Sequence, residues 1–170
     1  MAEMGVLHPD ARLELLDGQI HDMSPIGLFH TGVVNHLIAI FAEVNNTRWV
    51  LQAQSPLRMD VYWEPEPDLM LLKPAPDFYK THRATVDDVL LLIEVADSSL
   101  ETDRNEKLPA YARFRIPEVW IVNLVDRTIE IYREPELSSY GLKTVLRYGG
   151  KASPAAFPDV TVDVAELLQT

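Results

Sequence analysis

The chain has no cysteine among its 170 residues, which excludes a disulfide framework, a thiol nucleophile and a cysteine-based zinc site. No run approaches the ~18 consecutive apolar residues that a membrane-spanning helix requires. The N-terminus shows neither a basic region nor a continuous apolar stretch of the kind that marks a secretory signal, so a cytoplasmic location is expected. Basic residues are the minority: 15 Lys+Arg stand against 26 Asp+Glu, a formal net charge of -11 at pH 7. That balance argues against a general nucleic-acid coat, whose affinity comes from Lys and Arg neutralising phosphates. It leaves a nuclease open, because a divalent ion held by carboxylates supplies local positive charge in an acidic protein. No G-x-S-x-G, phosphate-loop or G-x-G-x-x-G motif occurs, and the five histidines lack H-E-x-x-H spacing. Serine hydrolase, nucleoside triphosphatase, dinucleotide and zinc-protease readings therefore have no motif support.

The hydrophobic fraction of 47% speaks against disorder, and the length suits one domain spanning residues 1–170. Asp17-Gly18 between two short runs in residues 12–23 predicts a β-hairpin, since its turn needs positive φ. After a Ser-Pro-Ile-Gly breaker beginning at Ser24, Val33, Val34, Leu37, Ile38, Phe41 and Val44 recur at helical spacing and predict an amphipathic helix from Phe29 to Val44. Strand-like runs follow at Trp49, Leu57 and Asp68, punctuated by Pro56 and by EPEP from Glu64. Residues 73–85 have no apolar period and read as a surface loop. VLLLIEVA from Val89 reads as a central strand covered on both faces. A helix is expected between Thr102 and Arg115, then a hairpin of VWIVNL and IEIYRE around Asp126-Arg127, a strand from Leu142 to Tyr148, and a short terminal helix. The order predicts a mixed α/β domain rather than a regular βαβ winding.

Three charged residues sit where their burial or setting asks for a reason. Glu94 lies inside the apolar central strand, where a carboxylate costs several kcal/mol to desolvate unless a charge meets it. Its partner is either a buried Lys or Arg, which would be structural, or a metal ion, which would be functional. Asp68 opens a strand immediately after Pro67 and can point off the strand end into a cleft, or simply cap a turn. Two acids on adjacent strands suit a hard cation such as Mg²⁺. Pro109 lacks an N–H, so an unkinked helix should begin near Asn105 or Glu106 and place Lys107 in its first turn. A cation there opposes the helix dipole unless it faces a carboxylate cluster; the alternative is a solvated lysine. His30, at the start of the first helix, reads as a surface or capping histidine.

Pro67-Asp68, then IEVADSS from Ile93, D-x-x-x-K from Asp103 to Lys107 and YARFRIPEVWIV from Tyr111 together resemble the Uma-type restriction endonuclease family of the PD-(D/E)XK nuclease-like superfamily. The resemblance covers nearly the whole chain, including the ELLDGQI hairpin and the SPLRMD segment. It implies a restriction-endonuclease-like mixed β-sheet flanked by helices, with an N-terminal hairpin. It also implies that Asp68 and Glu94 are the two acids and that the Val95 carbonyl completes a Mg²⁺ or Mn²⁺ site. In the superfamily's standard spacing the lysine would fall two residues after Glu94, where this chain has Ala96; Lys107 resembles the migrated lysine of the family.

The expected function is metal-dependent hydrolysis of DNA phosphodiester bonds by Asp68, Glu94 and Lys107, by a homodimer with no membrane association. The alternative from another class is a non-catalytic binding or dimerisation module that keeps the fold. A third reading is hydrolysis of a small phosphoester, should the cleft be too narrow for a duplex.

Overall fold

The computed structural model describes residues 12–23 and 27–169. Its first elements are the hairpin strands β1 (Leu13–Leu16) and β2 (Gln19–Asp22), with Asp17 and Gly18 at φ of 49° and 77° in the turn. Two consecutive left-handed residues are what a tight hairpin needs, and Asp-Gly supplies them at low steric cost. The breaker residues 24–26 lie outside the described residues. Helix α1 (Leu28–Glu43) buries Val33, Val34, Leu37 and Phe41.

A six-stranded sheet runs in the order β3-β4-β5-β6-β7-β8, formed by Val50–Ala53, Leu69–Leu72, Val89–Ala96, Glu118–Asn123, Thr128–Pro135 and Tyr140–Leu146. Only β5 and β6 pair in parallel. Their crossover is helical, through α2 (Leu100–Thr102), a wide π turn (Asp103–Lys107) and α3 (Leu108–Arg113). Beyond β8, the short strands β9 (Lys151–Ala152) and β10 (Val162–Asp163) pair, and α4 (Val164–Leu168) follows. Asp163 caps α4 by accepting from the Ala165 and Glu166 amides at 2.8 and 3.3 Å. No described helix is long and apolar enough to cross a membrane.

The two sheet faces bury separate cores. Leu69, Leu71, Ile93, Val95, Trp120 and Val122 pack with α1 and α4 on one side. Met70, Leu92, Ala96, Tyr111, Val119 and Ile121 pack on the other, under α3. This two-sided burial explains the continuous apolar reading of β5, and strand alternation puts Glu94 on the α3 side.

Two expectations are corrected. LRMDV from Leu57 forms no strand. Pro56, Pro65 and Pro67 remove ladder donors, and Asp60 Oδ1 instead captures the Tyr62 and Trp63 amides at 2.7 and 2.8 Å. The resulting loop holds the hairpin through Leu15, whose amide donates to the Glu64 carbonyl while its own carbonyl accepts from Glu64, at 3.2 and 2.9 Å. The second correction concerns the helix bearing Lys107, which starts at Leu100 rather than near Asn105. The π turn before Pro109 widens the helix where the proline ring would clash and its missing N–H would leave a carbonyl without a donor. Lys107 therefore sits mid-helix, and the dipole conflict anticipated for a first-turn lysine does not arise.

Candidate active site

The antiparallel pairing of Leu69 with Ile93 brings Asp68, one residue before β4, abreast of Glu94 near the end of β5. Both border a cleft at that end of the sheet, together with Val95, Glu14 of the hairpin, His30 of α1, and Asp103 and Lys107 of the π turn. Its volume of about 180 Å³ is below the roughly 300–1,000 Å³ of small-molecule pockets. That is space for an ion and a phosphate group, with any larger substrate lying outside.

Asp68 is 7% exposed. Its Oδ2 accepts from the Val95 amide at 2.9 Å and from His30 Nε2 at 3.1 Å, while Oδ1 is met by Gln54 Nε2 at 3.5 Å. Burial lowers the His30 pKa, but the Asp68 hydrogen bond and charge, with the Val95 backbone, outweigh it and leave the imidazole above its usual value. The surface or capping role expected for His30 is thus replaced by a contact inside the cleft.

Glu94 turns the other way, toward the helical crossover. Its Oε1 accepts from Tyr111 Oη at 2.6 Å and faces Lys107 Nζ at 3.4 Å. The Lys107 ammonium is buried, 4% exposed, and also lies 2.8 Å from Glu14 Oε2 and 3.4 Å from Asp103 Oδ1. A solvated lysine is therefore ruled out, and Lys107 reaches back from the crossover to Glu94. Ala96, at the standard lysine position, is part of the core under α3.

The charge balance of this cluster sets its protonation. Desolvation drives the Glu94 carboxyl well above the usual carboxylate range, Lys107 opposes the shift, and the charges of Asp103, Asp68 and Glu14 add to it. Asp103 is raised by burial as well, against Lys107 and a 2.7 Å hydrogen bond from Ser99 Oγ. Burial alone would lower Lys107, yet Glu94, Asp103 and Glu14 raise it above the ordinary lysine value. An ammonium held this way donates and orients; it does not accept a proton near neutral pH.

Among the described residues no group of three or more His, Asp and Glu side chains is gathered closely enough to hold a metal ion. The donor set nonetheless fits a hard divalent cation in chemistry. Two carboxylates and the Val95 backbone line one cleft, and the acids of its lining, Glu14, Asp22, Glu66, Asp68, Glu94, Asp97 and Asp103, outnumber its cations Arg12 and Lys107.

The sequence reading gives Glu14, Asp103 and Tyr111 no role beyond the motifs that contain them, and takes His30 for a surface or capping residue. Glu14 shares its strand face with buried Leu16, and the Asp103–Lys107 spacing is that of an i,i+4 ion pair. Both were available as signals. No spacing tied His30 or Tyr111 to the acids, which they meet through tertiary packing.

The fold is similar to that of a crystal structure described as a "putative nuclease belonging to DUF820 from Anabaena variabilis ATCC 29413". The TM-score is 0.74 at 11% sequence identity, with 98% of this chain and 94% of that chain covered. At that identity the likeness is one of fold. No curated protein matches the chain. The family described as "Uma2: Putative restriction endonuclease" matches residues 2–165. With nearly its whole length matched, and with the acids of its Pro-Asp and IEVADSS motifs bordering one cleft, the chain belongs to the Uma2 family.

Proposed function

We propose that the chain is a metal-dependent endonuclease that hydrolyses DNA phosphodiester bonds. The observation that carries this reading is the cleft in which Asp68 and Glu94, drawn from adjacent strands, stand beside the buried Lys107 ammonium. Family membership supports DNA as the substrate class, and the small cleft suits one phosphate of a polymer better than an enclosed small phosphoester.

In this reading Asp68, Glu94 and the Val95 carbonyl hold Mg²⁺ or Mn²⁺. When bound, the ion polarises the scissile phosphate and offsets the negative charge that develops on it. Lys107 stays protonated, holds Glu94 in place and presents N–H donors that orient the attacking water. Tyr111 fixes the same Glu94 oxygen from the other side. A homodimer belongs to the proposal, because cutting both strands of a duplex suits two-fold symmetry. A monomer by light scattering at micromolar concentration would remove that part.

The test is plasmid nicking at fixed salt with Mg²⁺ and with Mn²⁺, since phosphate contacts make affinity salt-dependent. Wild type should convert supercoiled to open-circular DNA, and Asp68→Asn and Glu94→Gln should not. A wild type inert with both ions would favour the rival reading, a non-catalytic assembly module that keeps the nuclease fold.

A further inference from the structure

Asp68 presents its two carboxylate oxygens unequally. Oδ2 receives both strong contacts, from the Val95 amide at 2.9 Å and from His30 Nε2 at 3.1 Å. Oδ1 has only the long 3.5 Å approach of Gln54 Nε2. The Val95 contact comes from the backbone of β5 and survives any side-chain change. The His30 contact comes from the first turn of α1, and His30 itself lines the cleft. An ionised carboxylate only accepts, so His30 Nε2 carries the proton of this bond. The imidazole side chain is 13% exposed and that of Asp68 10%, so solvent has little chance to replace the bond if it is lost.

We infer that His30 is a positioning residue for the cation site: with the Val95 amide it clamps Asp68 Oδ2, fixes the carboxylate's rotamer and leaves Oδ1, with its one long contact, as the less committed oxygen for the ion. The inference rests on the reading of Asp68 as a metal ligand and adds to it the residue that orients that ligand. Groups that orient a metal ligand from behind typically contribute about 10–100-fold to metal affinity, because the carboxylate otherwise samples rotamers that cannot bind. Two consequences distinguish this role from direct action on the phosphate. Loss of the clamp should raise the ion concentration needed for half-maximal turnover and leave turnover at saturating ion close to wild type. A side chain that keeps a donor toward Oδ2 should restore the affinity.

The experiment is titration calorimetry of the whole protein with Mn²⁺ alone, on wild type, His30→Leu, His30→Gln and Asp68→Asn, with thermal melts of each. His30→Leu fills the space without a donor, and His30→Gln keeps an N–H. The expected result is a ~10–100-fold loss of Mn²⁺ affinity in His30→Leu, most of it recovered in His30→Gln. In nicking assays the His30→Leu defect should be relieved by added Mn²⁺. Unchanged affinity in His30→Leu, or an equal loss in both His30 variants, would overturn the inference. If wild type binds Mn²⁺ and Asp68→Asn does not, such a result sinks the role of His30 alone. A wild type that binds no Mn²⁺, or an Asp68→Asn that binds as tightly as wild type, overturns the metal reading of Asp68 and this inference with it.

Discussion

Lys107 Nζ lies 2.8 Å from Glu14 Oε2, an ion pair that ties the middle of the kinked helical crossover to the N-terminal hairpin. The same ammonium is 3.4 Å from both Glu94 and Asp103. One buried lysine therefore serves two ends: it neutralises carboxylates that the fold has taken out of water, and it stands beside the acid proposed to hold the ion. Substitutions here act on stability and on chemistry together.

Lys107→Met should destabilise the protein strongly. Glu14, Glu94 and Asp103 would be left buried without their shared cation, and breaking a buried pair from one side costs about 3–5 kcal/mol. Urea melts of wild type and variant measure this, and the loss should shrink as pH falls, because protonation of Glu94 and Asp103, both raised by burial, removes part of the unpaired charge. An unchanged melt would mean that the lysine behaves as an exposed residue, for which changes stay within roughly ±0.5 kcal/mol. Lys107→Arg keeps the charge and is the variant for turnover. Its planar fork cannot replace a compact ammonium among three carboxylates, so turnover should fall by ~10²–10⁴.

Glu94→Gln should leave the metal-free protein as stable as wild type, or more so, at neutral pH. The sign follows from the raised carboxyl pKa. The contribution of Glu94 to stability is complete below the ordinary carboxylate value of 4.5 and is lost as pH rises through the elevated folded-state value. The amide removes that titration and still accepts from Tyr111. Thermal melts in chelator from pH 4 to 8 should show the variant gaining on wild type as pH increases. A large loss of stability at pH 7 would make the Lys107–Glu94 pair a structural necessity.

Glu130, beyond the cleft, should give the acid limb of the stability curve. Burial raises its pKa, but hydrogen bonds from Arg104, Tyr132 and Lys143 prevail and hold the carboxyl down at about 2. Its contribution is complete above the ordinary 4.5 and is lost as pH falls from there through about 2. Glu130→Gln should cost on the order of 2 kcal/mol at pH 7, the scale of a hydrogen bond to a charged group. It should also flatten the decline between those pH values. An acid limb of the same steepness in both proteins would assign acid unfolding to other carboxylates.

Local chemistry made much of this fold legible in the sequence. Asp17-Gly18 carries its own turn geometry, the Val33 to Phe41 spacing marks the buried face of α1, and Glu94 inside VLLLIEVA announces a buried acid. What failed was mostly non-local. Leu57 to Val61 is the local exception: Asp60 accepts from the Tyr62 and Trp63 amides two and three residues on and turns the chain, while the Leu57 and Met59 amides go to the Pro65 and Trp63 carbonyls. Pro109 is consistent with a helix start or with a π turn, and only packing of the crossover against the sheet selects the turn. The cluster around Lys107 joins Glu14, Glu94 and Asp103 from three separate elements. Of those contacts only Asp103 lies within one helical turn of the lysine, so spacing could have revealed one partner and not the other two. His30 reaches Asp68 because α1 packs on the sheet face that holds Leu69 and Val95, a relation with no periodic signature.

The most direct measurement of the central claim is anomalous diffraction from a crystal soaked in Mn²⁺. The account predicts one strong peak in the cleft, between Asp68 and Glu94, with oxygen distances near ~2.2 Å for the two carboxylates and the Val95 carbonyl. The Lys107 ammonium should remain beside Glu94. No peak at millimolar Mn²⁺, or a peak held by Glu14 and Asp103 with Asp68 and Glu94 untouched by the ion, would contradict it.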